Sequence, residues 1–359
     1  MYTALYRKMR SRSFADLVGQ EAIARTIKNQ VVTGRVVHAY LFCGIRGTGK
    51  TTIARILARA VNCPNAQEGE PCNVCDICKD IINERSMNII EINAADFTGV
   101  DNVRSMIEEC IYQPTAGNFK VYIIDEVHMF SNSSFNALLK TLEEPPAHVI
   151  FILATTDPQK IPETILSRCQ RFDLSRISAS DITQHLKKIS EQMNIAIDDD
   201  ALMYIAVSSD GSMRDALNLL EQSGAYYFDV LITEGRVRHL LGAVDTAIFF
   251  ELTESLYKKD AAKCMDIISK AQEGRDIQRL ISELIRFFRD VLVAGLTDDP
   301  PIEASAENIA KLRELALKIP ANQLVSYIKV FSELSGKLKH FPHERLMLEV
   351  ACISLTANE

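Results

Sequence analysis

The stretch Tyr40-Leu41-Phe42-Cys43-Gly44-Ile45-Arg46-Gly47-Thr48-Gly49-Lys50-Thr51-Thr52 decides the fold. A strand-like apolar run, Val36 to Cys43, stops at a glycine. A Gly-rich turn follows, and a helical pattern runs from Thr51 to Val61. Gly44 to Thr51 fits the Walker A pattern at every required position and in the strand–loop–helix context the pattern needs. Glycines let backbone N–H groups close around phosphate oxygens, and a helix start adds partial positive charge. Gly44, Gly47, Thr48, Gly49, Lys50, Thr51 and Thr52 are therefore the expected nucleotide ligands. Lys50 should reach the outer phosphates, and the Thr51 hydroxyl should ligate Mg²⁺.

Outward from this loop, short apolar runs alternate with helical patterns. Asn88 to Ile92, Val121 to Ile124 and Val149 to Thr155 read as strands, so a mainly parallel sheet flanked by helices is expected. Val121-Tyr122-Ile123-Ile124-Asp125-Glu126 resembles Walker B. Asp125, at the carboxyl end of a buried strand, would hold the Mg²⁺ shell, and Glu126 would polarise the attacking water. Phe151-Ile152-Leu153-Ala154-Thr155-Thr156 ends another strand. Either threonine hydroxyl can orient the water or sense the terminal phosphate, or the pair simply caps the strand. Beyond about residue 175 the strand signal fades. From Ser180 the pattern is helical, and Ile277, Leu280, Ile281, Leu284, Ile285 and Phe288 keep the spacing of one apolar helix face. A break at Gly242 to Asp245 and a loop at Asp298-Asp299-Pro300-Pro301 interrupt it. The expected organisation is an α/β domain over 1–175, a small helical domain over 176–242 and an all-α domain over 243–359.

The chain has 359 residues, 47% of them hydrophobic, enough for two or three domains. Its formal net charge of −7 excludes a wholesale basic footprint, so any nucleic-acid contact must come from a local patch. Lys79, Arg85 and Arg104 are candidates, though scattered, and such positions are more often solvated surface. No apolar run approaches a bilayer span, and the first residues lack the apolar core of a signal peptide. A cytoplasmic protein without membrane contact is the expectation. Nine cysteines is an odd count, read as thiols or metal ligands rather than disulfides. Cys63, Cys72, Cys75 and Cys78 form a C-x8-C-x2-C-x2-C cluster, at about 62–80, between the Walker A helix and the next strand. Four thiolates make a closed, structural Zn²⁺ site. An iron–sulfur ligand series or unligated thiols are the other readings.

Two arginines would complete the phosphate site. Gly211-Ser212-Met213-Arg214-Asp215 opens a helix with capping-box spacing between Ser212 and Asp215. Arg214 then lies in the first turn, where a cation opposes the helix dipole, which points to a nearby anion; a surface arginine is the other reading. Ser167-Arg168-Cys169 follows a short helix that Pro162 opens.

Taken in order, Gly44 to Thr51, Asp125-Glu126, Ser167-Arg168-Cys169 and Gly211 to Asp215 resemble AAA+ clamp-loader subunits. Phe14-Ala15-Asp16-Leu17-Val18-Gly19-Gln20, His38 to Phe42, Ala137 to Pro146, Ala154 to Lys160 and the four-cysteine insertion narrow the resemblance to the gamma/tau type of bacterial DNA polymerase III, short gamma-like form. The specific motifs cover about residues 1–222. The resemblance implies a RecA-like P-loop ATPase domain with a zinc knuckle, a helical lid and an all-α oligomerising collar. It implies ATP hydrolysis without a polymerase site, in a five-subunit ring with copies of itself and delta- and delta-prime-like subunits. That ring opens a sliding clamp and loads it on primer–template DNA during replication. Arg168 would be an arginine finger, Arg214 a lid arginine, and Tyr6 and Arg7 neighbours of the adenine. Ser11 and Ile45 stand where the family usually or often has proline, which is expected to alter loop stiffness only. Glu359 falls about where a collar finishes, so binding of polymerase or helicase is not expected. Two other readings share parts of this pattern: another AAA+ DNA motor of the branch-migration type, and a non-hydrolysing delta-prime-like scaffold subunit.

Overall fold

A computed structural model describes residues 4–97, 99–241, 246–271, 277–297, 300–302, 306–338 and 344–357. The chain divides into two compact units, Met1–Glu234 and Gly235–Glu359. The expected break at Gly242 to Asp245 and the loop residues Asp298 and Asp299 lie outside the described residues.

The first unit runs α1 (Leu5–Lys8), α2 (Glu21–Thr33), β1 (Ala39–Cys43), α3 (Lys50–Asn62), α4 (Asp76–Ile82), β2 (Ile89–Asn93), α5 (Val100–Glu109), β3 (Lys120–Asp125), α6 (Asn132–Glu143), β4 (Val149–Thr155), α7 (Glu163–Leu166), β5 (Gln170–Asp173), α8 (Ala179–Met193), α9 (Asp199–Ser208) and α10 (Met213–Tyr226). Among the described residues the sheet has five strands in the order β2-β3-β4-β1-β5, every pair parallel. Strands β1 and β4 are buried along their whole length. Their side chains alternate between two cores. Leu41, Cys43, Tyr122, Ile124, Phe151 and Leu153 face one layer with Met106, Phe135 and Leu138. Tyr40, Phe42, Val121, Ile123, Ile150 and Ile152 face the other with Ile27, Ile53 and Leu57. A sheet covered on both faces needs apolar residues at both parities, hence the unbroken apolar runs in the sequence.

The strand β5 was not anticipated from the sequence. It is four residues long, pairs with β1 through Tyr40↔Gln170 and Cys43↔Asp173, and buries only Phe172. Serine and aspartate caps open the helices that follow. Ser178, Asp198 and Ser212 accept hydrogen bonds from the backbone N–H groups of Asp181, Ala201 and Asp215. Each such cap contributes about 1 kcal/mol. Pro162 is the N-cap of α7 rather than its first helical residue.

A further helix, α11 (Glu234–Leu240), starts at the division between the units. The second unit continues with α12 (Thr246–Tyr257), α13 (Ala261–Ala271), α14 (Ile277–Leu296), α15 (Ala306–Lys318), α16 (Ala321–Leu338) and α17 (Glu344–Ala357). Its core centres on α14, whose Ile281, Leu284 and Phe288 are buried against Phe331 and Cys352. The Phe288 ring lies 5.7 Å from that of Phe331 and 5.4 Å from that of Tyr327. Phe288→Ala should destabilise this unit by about 3–5 kcal/mol, because the cavity adds to the lost transfer energy. Urea denaturation followed by circular dichroism measures it; an unmoved transition would contradict this packing.

Candidate active site

Parallel strands in register bring their carboxyl ends to one edge, where ligands bind in open α/β sheets. Cys43 pairs with Thr155, and Asn93 with Asp125. The loop between β1 and α3 leaves from that edge. Gly47 and Gly49 have φ of +85° and +106°, a region that disfavours a side chain. A Cβ on Gly47 would also collide with Ser212 Oγ, so the cap of α10 lies directly on the loop.

Lys50 is 6% exposed and donates to the carbonyl oxygens of Gly44 and Ile45 at 2.8 and 2.9 Å. Burial pulls its pKa below the usual lysine value, while the Glu126 and Asp125 carboxylates pull the other way. The Thr51 hydroxyl donates to Asp125 Oδ2 at 2.8 Å, joining the two residues expected to share Mg²⁺. A cleft of ≈ 940 Å³, open solvent included, is lined by Gly47, Thr48, Gly49, Lys50, Thr51, Thr52, Asp125, Glu126, Tyr6 and Arg214. Arg214 stacks on the Tyr6 ring at 4.5 Å, a cation–π contact between α10 and the amino-terminal segment. Gly44 and Arg7 are not in the lining. Arg7 donates to the Tyr6 hydroxyl at 3.2 Å, and that bond holds the phenol below its ordinary pKa. Met9, Arg10, Leu17, Val18, His185 and Leu217 line the cleft too, a role the sequence does not assign them. Burial lowers the pKa of both Arg10 and His185.

The threonine pair divides its work. Thr156 Oγ1 donates to Glu126 Oε2 at 2.9 Å. Thr155, fully buried, has its hydroxyl 3.0 Å from His128 Nδ1 and accepts from the Asp157 N–H. His128 also lies 3.4 Å from Glu126 Oε2. Its signal in the sequence was a titratable side chain two residues beyond the Walker B acids. Arg168 stands apart, with its side chain 34% exposed, bound to Glu143 Oε1 at 2.6 Å and to the Thr164 carbonyl at 2.7 Å. Arg104 pairs with Asp101 at 3.0 Å.

The four cysteines converge. Their Sγ atoms all lie within 4.8 Å of one another. The N–H groups of Cys72, Cys75 and Cys78 point at the sulfurs of Cys63, Cys72 and Cys75 at 3.3–3.5 Å. Amide donors from Val74 and Cys75 pull the Cys72 thiol down to about 6, whereas burial raises Cys63 and Cys78. A single tetrahedral ion with metal–sulfur bonds of about 2.3 Å sets sulfurs about 3.8 Å apart, so the cluster fits one ion better than a multi-iron core. Within the same insertion Glu70 accepts from the N–H groups of Phe14 and Ala15 at 2.8 and 3.1 Å and pairs with Lys28. Arg59, 4% exposed, donates to the Arg12 carbonyl at 2.9 Å.

Three family models match in series: "DNA polymerase III, delta subunit" over residues 19–178, "DNA polymerase III clamp loader subunit, ATPase lid domain" over 181–226, and "DNA polymerase III subunits gamma and tau domain III" over 232–358. DNA polymerase III subunit tau of Bacillus subtilis is 43% identical over 99% of the chain and 63% of its own length. The Escherichia coli tau subunit is 39% identical over 99% and 55%. The chain thus spans about 55–63% of these two relatives. DNA polymerase III subunit gamma of Buchnera aphidicola is 39% identical over 98% of both chains. Among solved structures the Thermotoga maritima RuvB Holliday junction branch migration motor aligns over 93% of each chain with a TM-score of 0.52 and 18% identity. That likeness shows the fold, an AAA+ P-loop domain followed by helical domains. With matches spanning nearly its whole length, the chain belongs to the gamma/tau family of DNA polymerase III clamp-loader subunits.

Proposed function

We propose that the chain is the ATP-hydrolysing motor subunit of a clamp loader, which opens a sliding clamp and loads it on primed DNA. The observation that carries this reading is one cleft holding Lys50, the Thr51–Asp125 bond, Glu126 and Arg214. Arg214 lies within the residues matched as a clamp-loader lid. Lys50 would turn from the loop carbonyls to the outer phosphates. Thr51 and Asp125 would hold Mg²⁺, which neutralises developing charge. Glu126 would take the proton of a water that attacks the γ-phosphorus, while the bond to the β–γ bridging oxygen breaks and ADP leaves. Arg214 contacts both the cleft and Tyr6, so binding that favours one position of α10 would become a change of domain angle. The proposed domains are 1–175, 176–242 and 243–359, with the last as collar.

The partners that fit this reading are further copies of the chain and delta- and delta-prime-like subunits in a five-membered ring, the clamp and primer–template DNA. DNA contact would be mainly to phosphates and steeply salt-dependent. No helix among the described residues is long and apolar enough to cross a membrane, and a cytoplasmic site is part of the proposal. Zinc, held by Cys63, Cys72, Cys75 and Cys78, would staple the insertion.

ATPase assay of a reconstituted loader with and without primed DNA and clamp tests the whole reading. Lys50→Ala should abolish turnover by this subunit; unimpaired hydrolysis removes the phosphate site. Arg168→Ala should leave ATP binding intact and suppress DNA-stimulated turnover, since arginine fingers elsewhere contribute about 10³–10⁵ in rate. Normal stimulation would reject the finger assignment. Metal analysis of the purified chain should find one zinc per chain and no visible iron–sulfur absorption, and Cys72→Ser with Cys75→Ser should lose the metal. Iron in place of zinc, or full thiol reactivity in the untreated chain, would overturn that site.

A further inference from the structure

We propose that His128 is a positioning residue for hydrolysis, its ring hydrogen-bonded to Thr155 at the end of β4 and its Nδ1 edge laid against the Glu126 carboxylate. The inference rests on the ATPase reading above and deepens it. Glu126 leaves β3 with φ 51° and ψ 42°, a left-handed conformation uncommon for a residue with a side chain. Two side chains meet one of its oxygens. Oε2 accepts from Thr156 at 2.9 Å and faces His128 Nδ1 at 3.4 Å. Among the described residues Oε1 has no hydrogen bond to protein, and Glu126 lines the cleft. One oxygen is thus anchored, and the other is left to accept from a water.

The proton on the imidazole follows from its neighbours. An ionised carboxylate only accepts. A bare Nδ1 would set its lone pair 3.4 Å from Oε2, whereas an N–H there donates to Thr155 Oγ1 at 3.0 Å and keeps its positive edge beside Oε2. The His128 side chain is 11% exposed, so water competes little for that proton. Thr155 is itself fixed. Its hydroxyl accepts from the Asp157 N–H at 3.0 Å, and its carbonyl accepts from the Gly44 N–H at 3.2 Å. Gly44 is the first residue of the phosphate loop. His128 therefore links the proton acceptor to the loop that would grip the phosphates, without touching the reacting atoms. In the step itself the water oxygen bonds to the γ-phosphorus, the bond to the β–γ bridging oxygen breaks with its electron pair going to ADP, and the water's proton passes to Oε1.

The test compares wild type, His128→Ala and His128→Asn in the reconstituted loader, reading ATP affinity and kcat separately, with thermal melts as the folding control. Alanine removes the donor; asparagine returns an amide N–H at the position of Nδ1. We expect alanine to lower kcat about ten- to a hundredfold, at or below the low end of general-base effects because Thr156 remains, with ATP affinity changed less than about twofold. Asparagine should recover most of the loss. An unchanged kcat in His128→Ala overturns the inference alone. So does equal loss in both variants with unaltered melts, or loss confined to ATP affinity. A wild-type loader without turnover overturns the ATPase reading and this inference with it.

Discussion

In a parallel sheet the chain leaves every strand at the same edge, and here the residues standing at that edge are the ones with reactive side chains. The register aligns Cys43 with Thr155 and Asn93 with Asp125. From that row come the loop that ends in Lys50, the carboxylates of Asp125 and Glu126, and the threonine pair. Two bonds tie the loop and the helix it opens to neighbouring strand ends there: Thr51 to Asp125, and the Gly44 N–H to the Thr155 carbonyl. A slip of one residue in β4 would exchange Thr155 and Thr156 and also turn Phe151 and Leu153 out of their core. The packing of the two apolar layers thus fixes the site to within a residue.

Burying Lys50 has a cost that the surroundings partly offset. Removal from water disfavours its charge, and two loop carbonyls and two nearby acids offset part of that cost. In this structure the ammonium is bound by the loop's own carbonyls. Arg214 is held differently, against the face of Tyr6.

Much of this was legible in the sequence because the constraints are local. The Walker A spacing, the acids closing β3 and the four clustered cysteines each occupy fewer than twenty residues, and Ser212 caps α10 as its spacing indicated. What escaped depends on tertiary contact. The edge strand β5 has one buried residue and no alternation to read. Arg10, Leu17 and Val18 reach the cleft only because the amino-terminal segment folds across it. Thr155 and Thr156 were indistinguishable as neighbours on a strand end. In the fold Thr155 is the last, buried residue of β4 and meets His128, whereas Thr156 lies just beyond the strand and meets Glu126.

Glu70 shows how an insertion reaches beyond itself. It sits in the cysteine loop, yet its carboxylate grips the backbone at Phe14 and Ala15, a few residues before Leu17 and Val18 in the cleft wall. Arg59, under the same loop, grips the backbone at Arg12. The cysteine loop is thus buckled to the strap of chain whose next residues form one side of the cleft.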